Sequence, residues 1–400
     1  MNILIVSSIY PEPKSYGLKD DTLVVHYFAK RWVEQGHRVV VLHPGYNAIS
    51  NILRIFNSHS HSILQSERDG VTVIYGEVQL FVPHALYPVK WRDIFLANRM
   101  RKYMQKHLPD FHADVATVHF PIVSHRFAKE VLKDIPSMAV FHGTDVRLLA
   151  AMDESTKKKE VIELDKLYAK YAFRSPMLRR TGCANGINLD RSDVIISGIP
   201  ENMIAEQKNI QEKIKQKNNS VFHLLYAGKL VKQKRIVHVF EALKLIKDKI
   251  NFQFDLVGDG SEYDMLVKYA SSLGLLENIH FHGRKSREEV SLMMKEADAF
   301  IMVSTNETLG LVYLEAMAQG AIAIGSKGEG IDGVIIDGEN GFLTDPYSDK
   351  DIAGTIAKVA LLSKEERKKI IVNAYEYVKA MTDYSMSNRY LLALQSLSIK

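Results

Sequence analysis

Val303-Ser-Thr-Asn-Glu307-Thr-Leu-Gly310-Leu-Val-Tyr-Leu-Glu315-Ala-Met-Ala-Gln-Gly320 is the stretch on which the reading of the fold turns. It follows Ala299-Phe-Ile-Met-Val303, an apolar run that reads as a buried strand. It continues as a helix that ends at Gly320, because glycine is a usual residue just past a helix C-terminus. Glu307 then lies in the loop at the top of a strand, and Glu315 lies within the helix. Gly310 stands between them at the helix start, where free N–H groups and the positive end of the dipole attract phosphate. Such a unit suits a polyhydroxylated, phosphorylated ligand, with carboxylates accepting from hydroxyls and amides donating to phosphate. Two acids eight residues apart also fit a solvated loop acid and a helix-surface acid, so the stretch has to be read with its surroundings.

Outward from this unit, strands and helices alternate along the whole chain. In the first half the strand candidates are Asn2–Ser7, Val39–His43, Val71–Ile74, Val115–His119, Met138–Phe141 and Val194–Ile196. In the second half they are His223–Tyr226, Phe252–Val257, Ile279–Phe281, Ala299–Val303 and Ala321–Ile324. Helical patterns separate them, for example Val237–Ile246 and Met265–Leu273. Apolar β-branched strands alternating with helices predict doubly wound parallel sheets. A polar stretch rich in Gln, Lys and Asn, Glu201–Ser220, reads as the hinge between two such halves. A separate apolar-periodic helix is expected over Tyr384–Ser398.

A chain of 400 residues has room for two or three domains. Its 46% hydrophobic and 25% charged content is that of a soluble globular protein. The single cysteine, Cys183, excludes an internal disulfide framework and a Cys-rich zinc site, and reads as an inert small side chain in a reducing compartment. The opening Met1-Asn-Ile-Leu-Ile-Val-Ser-Ser8 is too short and lacks the basic leader of a signal peptide. No apolar run approaches spanning length. These readings make a cytoplasmic, non-integral protein the expectation. Residues 1–200 hold 26 Lys+Arg against 20 Asp+Glu, and residues 201–400 hold 26 against 27, so the basicity sits in the first half. That points to an anionic partner there. No nucleic-acid-binding motif is present, which leaves an anionic membrane surface or a lipid-phosphate acceptor. The helical run Val89–Lys106 and the Lys157-Lys-Lys159 cluster are candidates for such a peripheral contact, or simply for a solvated basic face.

The Glu-x7-Glu spacing with an internal Leu-Gly resembles the donor-site signature of retaining GT-B glycosyltransferases, the "glycosyl transferases group 1" family. Further segments, in order, resemble the same family. Phe141-His142-Gly143-Thr144-Asp145 matches its His-Gly-x-Asp. Ala227-Gly228-Lys229-Leu230-Val231-Lys232-Gln233-Lys234 resembles its Gly-Arg-Leu-x-x-x-Lys, with Lys229 in place of the usual Arg and Arg235 where a Gly usually follows. Leu256-Val257-Gly258-Asp259-Gly260 resembles its Val-Gly-x-Gly turn, and Phe281-His282-Gly283-Arg284 its Phe-x-Gly segment. Tyr16-Gly17 stands where the family has a Gly-Gly pair, and Val303 where it commonly has Pro. Ser197-Gly198 stands where it often has Asn-Gly before the second domain.

The resemblance implies an α/β GT-B fold, two Rossmann-like domains facing across a cleft. Residues 1–200 would form the acceptor-side domain, with the helix at 384–400 packing back on it, and residues 201–383 the nucleotide-sugar donor domain. It implies transfer of a sugar, with retention and without a metal, from a nucleotide-diphosphate donor such as a UDP- or GDP-sugar to a glycan or lipid-linked acceptor. The setting it implies is bacterial surface-polysaccharide or glycolipid synthesis at the inner face of the plasma membrane. Lys229 and Lys234 would bind the diphosphate, Glu307 would face the donor sugar, Glu315 the ribose, and His142 the sugar from the first domain. Gly17, Gly228, Gly258, Gly283, Arg284, Thr308, Leu309, Gly310 and Leu311 would complete the donor site. No cofactor is implied. An epimerase of the same fold, or a non-catalytic nucleotide-sugar-binding subunit, is the alternative. The pattern Asp349-Lys-Asp351 binds metal in a different glycosyltransferase fold; here it enters a helix, and Asp reads as a cap.

Overall fold

The computed structural model of the chain describes residues 1–11, 23–48, 63–80, 89–215 and 221–398. They gather into two compact units, one of Met1–Arg174, Leu178–Ile195 and Met386–Lys400, the other of Ser175–Met177 and Ile196–Ser385.

In the first unit the strands are β1 (Asn2–Val6), β2 (Arg38–Ala48), β3 (Ile63–Arg68), β4 (Val71–Leu80), β5 (Val115–His119), β6 (Ser137–Phe141), β7 (Lys170–Phe173) and β8 (Ser192–Val194). Its helices are α1 (Val24–Glu34), α2 (Val89–His107), α3 (Pro121–Leu132), α4 (Gly143–Ala151), α5 (Glu154–Leu167) and α6 (Pro176–Ala184). The eight strands lie in the order β3-β4-β2-β1-β5-β6-β7-β8. All pairs are parallel except β3 with β4. Leu4 in β1 lies opposite Val40 of β2 and Ala116 of β5, so these three adjacent strands meet there through aliphatic residues. Every residue of β5 and of β6 is buried, as expected where helices cover both faces of a parallel sheet.

The second unit carries β9 (Phe222–Ala227), β10 (Phe252–Val257), β11 (Ile279–Gly283), β12 (Ala299–Ile301), β13 (Ile322–Ser326) and β14 (Phe342–Thr344). Its helices are α7 (Gln207–Lys215), α8 (Ile236–Ile246), α9 (Tyr263–Ser272), α10 (Arg287–Glu296), α11 (Leu311–Ala318), α12 (Asp349–Ala360) and α13 (Lys364–Lys379). The sheet is wholly parallel, in the order β11-β10-β9-β12-β13-β14. This is the Rossmann order, which reverses direction between its first and fourth strands. The reversal point here lies between β9 and β12, the strands that end in the Gly228–Lys234 and Ser304–Glu307 segments. α11 buries Tyr313, Leu314, Ala316, Met317 and Ala318, so it is a core helix rather than a surface one. The last helix, α14 (Asp383–Gln395), contributes Met386, Tyr390, Leu391 and Leu394 to buried positions, and its residues from Met386 onward belong to the first unit.

The polar stretch after residue 200 is more ordered than a hinge composition suggests. Residues Gln207–Lys215 form α7, with Ile210 and Lys213 buried. Lys213 Nζ donates to the carbonyls of Met294 (3.1 Å), Lys295 (2.8 Å) and Ala297 (2.7 Å). These carbonyls close the C-terminus of α10, where the last turn has no intrahelical donors and the dipole favours a cation. Lys213→Met keeps the stem and removes the donors. It is expected to cost about 3 kcal/mol, read as a lower urea midpoint with an unchanged slope. At the start of α12, Ser348 is the cap and not an aspartate: its side chain accepts from Asp351 N–H. Asp351 instead accepts from Thr344 Oγ1 (2.8 Å) and Asp345 N–H (2.7 Å), and Asp349 is held by His238 Nδ1 (2.7 Å).

Candidate active site

The site of the second unit is built from four loops, each at the carboxyl end of a strand. After β9, Gly228 N–H donates to Val257 carbonyl (3.0 Å) and Leu230 N–H to Asp259 carbonyl (2.9 Å). After β10, Gly258 N–H donates to Gly283 carbonyl (2.8 Å), which ends β11. Thr305 N–H, after β12, donates to Gln233 carbonyl (2.9 Å). These main-chain bonds join the expected glycine turns into one rim. Gly258 has φ +144°, and a Cβ there would lie 1.8 Å from Gly228 carbonyl oxygen. Only a glycine permits this crossing.

Lys234 and Glu307 meet on that rim. Lys234 Nζ is 2.5 Å from Glu307 Oε2 and 3.5 Å from Met302 Sδ. Both side chains are about one-fifth exposed, at 19% and 23%. An ammonium has three N–H donors, so these two contacts leave one for an incoming oxygen. The Glu307 backbone is fixed from behind: its N–H donates to Glu329 Oε2 (3.1 Å), and its carbonyl accepts from Gly330 N–H (3.2 Å). The preceding Asn306 has φ +61°, a tight reversal that brings the chain round from β12.

Gly310 is the cap of α11, with φ +83° and no side-chain hydrogen bond at the helix start. A Cβ there would come within 2.7 Å of the Tyr313 ring and 3.1 Å of Met302 Cε. The glycine therefore lets the chain pass close over the core, and among the described residues no side chain is bonded to the first amides of α11. Leu309 is buried, while Thr308, Gly310 and Leu311 are partly exposed. Lys229 and Arg284 are exposed on the loops after β9 and β11. Glu315, on α11, is gripped by Arg287 at the start of α10 (Nη2 to Oε1, 2.7 Å). The carboxylate side chain is 12% exposed and the arginine 56%.

Arg235 occupies the position where the motif usually has glycine, and its φ is +52°. The left-handed conformation explains the usual glycine. Here the arginine is held by its own contacts: Nε donates to Pro346 carbonyl (2.8 Å), and the guanidinium lies 4.7 Å from the Tyr347 ring centre.

His142 belongs to the first unit. It caps α4, and its backbone N–H donates to Asp145 Oδ2 (2.9 Å). Asp145 Oδ1 accepts from Ile122 N–H (3.1 Å), which ties the starts of α3 and α4 to one carboxylate. Burial pushes Asp145 up to about 7, against the pull of those two amides. The His142 ring stacks on Phe120 (centroids 4.0 Å apart) and its Nε2 lies 3.0 Å from His119 Nδ1. Burial holds His142 well below the ordinary histidine value, with further lowering from His119 and Arg174, and it lowers His119 to about 3. Both rings are therefore neutral at physiological pH.

Gly17 lies outside the described residues. Of the remaining expected positions, Gly228, Lys229, Lys234, Gly258, Gly283, Arg284, Thr308, Leu309, Gly310, Leu311, Glu307 and Glu315 all fall on one sheet's C-terminal loops and the helix that follows. The sequence reading did not single out Arg287, Met302 or Glu329, and it gave His119 no assigned role. Gly328-Glu-Gly330 was a readable signal, since two glycines after β13 mark a close backbone approach. Among the described residues no three His, Cys, Asp or Glu side chains converge as a metal site.

Comparison with known proteins bears on the family and the fold. Residues 207–377 match the family model of glycosyl transferases group 1, and residues 22–201 match that of glycosyltransferase family 4. The N-acetyl-alpha-D-glucosaminyl L-malate synthase of Bacillus anthracis is 25% identical over 279 residues, covering 68% of this chain and 70% of that protein. A glycogen synthase of Mycobacterium tuberculosis is 23% identical over 384 residues, covering 90% and 85%. Among solved structures, the Anabaena HepE protein in complex with UDP and glucose superposes with a TM-score of 0.66 at 18% identity, covering 99% of both chains. A Rickettsia africae glycosyltransferase superposes with a TM-score of 0.69 at 16% identity, covering 100% and 99%. Two family models, one matching largely within each unit, and two Rossmann-like, mainly parallel sheets of the kind these neighbours share make this chain a GT-B glycosyltransferase of the glycosyl transferases group 1 family.

Proposed function

We propose that the protein is a retaining, metal-independent hexosyltransferase that uses a UDP- or GDP-sugar and delivers the sugar to a glycan or lipid-linked acceptor. The observation that carries the reading is the Lys234–Glu307 pair, 2.5 Å apart at the reversal point of the β9–β12 sheet and beside the uncapped start of α11. Open α/β sheets bind ligands at this point. As the glycosidic bond breaks, positive charge builds on the sugar ring and negative charge on the leaving diphosphate. Lys234, Lys229 and the α11 amides supply fixed positive charge for the diphosphate. Glu307 accepts hydroxyl hydrogen bonds from the sugar, and Glu315 from the ribose. His142, at the start of α4, is also assigned to the reaction. No side chain is assigned as nucleophile: the leaving phosphate takes the acceptor's proton on the face it vacates.

The Anabaena neighbour's UDP and the glycolipid, lipopolysaccharide and amylovoran synthesis named for relatives support a nucleotide-sugar donor and an envelope acceptor. Incubation of the purified protein with UDP-, GDP- and ADP-sugars is expected to give ligand-dependent thermal stabilisation with one base. With a matching acceptor it is expected to give a glycoside of the donor's own anomeric configuration. An inverted product would end the retaining assignment, and an epimerised sugar formed without acceptor would favour an epimerase.

No helix among the described residues is long and apolar enough to cross a membrane. A peripheral contact is proposed through α2, which buries Leu96, Ala97 and Met100 and exposes Phe95, Lys102 and Lys106 at helical spacing. Co-sedimentation is expected with anionic vesicles and not with neutral ones. Equal recovery with both would reject the contact.

A further inference from the structure

A chain of buried polar side chains runs through the first unit. Thr117 and His119 lie on the same face of β5, two residues apart, and His142 follows β6. Tyr390, from α14, hydrogen-bonds Thr117 Oγ1, and its hydroxyl lies 3.4 Å from His119 Nε2. His119 Nδ1 in turn meets His142 Nε2 at 3.0 Å. Thr117, His119 and Tyr390 are at most 1% exposed, and His142 is 6% exposed. The Tyr390 ring is fixed independently of its hydroxyl, edge-on to Phe28 and Trp32 at 5.2 and 5.0 Å.

Each neutral imidazole carries one N–H, so the shared bond allows only one ring to donate to the other. Whichever way the hydrogen points between His119 and His142 fixes which His142 nitrogen is protonated. The choice is biased at the far end, where His119 Nε2 faces the Tyr390 hydroxyl and that hydroxyl faces Thr117. A hydroxyl both donates and accepts, so either direction leaves every atom partnered while Tyr390 is in place; removing its hydroxyl strands His119 Nε2 and shifts the balance between the two.

We propose that Tyr390 is a positioning residue: hydrogen-bonded to Thr117 and facing His119, it sets the tautomer of His142, and so couples the C-terminal helix to that histidine. This rests on the reading that assigns His142 to the reaction. Two measurements separate the inference from the reading. In ligand-free protein labelled with 15N-histidine, with the His142 signals assigned by their loss in His142→Asn, the wild type is expected to show one neutral tautomer for His142. Tyr390→Phe keeps the ring packing and is expected to give a mixture or the reverse tautomer. Thr117→Ser is expected to retain the wild-type pattern. In turnover, Tyr390→Phe is expected to lower kcat about 10-fold with the donor KM and the melting temperature little changed. An unaltered His142 tautomer in Tyr390→Phe overturns the proposal, as does a wild-type kcat. A wild type that transfers no sugar counts against the site reading, and the nitrogen spectra then decide the positioning role by themselves.

Discussion

Lys234→Ala is expected to lower turnover by about 10²-fold or more while the melting temperature stays close to wild type. The fold should survive because Lys234 lies in a short 3-10 turn, partly exposed, and contributes no apolar surface to the core. Main-chain bonds hold its loop: Lys234 N–H donates to Val231 carbonyl (2.8 Å) and Thr305 N–H to Gln233 carbonyl (2.9 Å). The side chain does a separate job. It stands at the reversal point of the sheet and brings a positive charge where the diphosphate is proposed to leave. A donor of this kind acts most in the transition state, where the phosphate oxygens gain charge, so kcat should fall more than donor affinity. Lys234→Arg keeps the charge but replaces a compact ammonium with a planar fork, and is expected to recover only part of the rate. Wild-type turnover in a folded Lys234→Ala protein would remove this residue from the site.

Much of the scaffold that places Lys234 is legible from residue order alone. Phe252–Val257 and Val115–His119 read as strands with the ends they have in the structure, because both are short runs bounded by loops. Three strands escape the periodicity. β14 has only three residues, behind the turn at Asn340-Gly341. β7, Lys-Tyr-Ala-Phe, is four residues and fits a helix as easily. β3 is largely polar and has no buried residue, because it pairs antiparallel at the sheet edge and needs little apolar surface. In the site the glycine turns and both acids could be read from local motifs. Arg287 could not, since it reaches Glu315 across 28 positions and its neighbours make it look like an ordinary surface cation. Tyr390 is further from legibility still, at 273 positions from Thr117. Local pattern reveals what a short segment does for itself. It does not reveal a partner supplied by another element after folding.

Glu307→Ala is expected to abolish both transfer to acceptor and slow hydrolysis of the donor, with a loss of about 10³-fold in kcat/KM. The Glu307 backbone is held on both sides, by Glu329 and by Gly330, so the loop keeps its course when the side chain is cut back. What disappears is the carboxylate bonded to Lys234. An alanine therefore removes the proposed hydroxyl acceptor and also releases the Lys234 ammonium from its 2.5 Å anchor. The two losses share one contact, so they should not add: Lys234→Ala with Glu307→Ala is expected to be little worse than Glu307→Ala alone. Glu307→Gln separates them, since the amide still accepts a hydrogen bond but carries no charge. A glutamine variant near wild type would reduce the acid's role to hydrogen bonding, whereas a loss close to that of alanine would assign the effect to charge. Retained transfer in the alanine variant, with the protein verified as folded, would break the proposal that this acid positions the sugar.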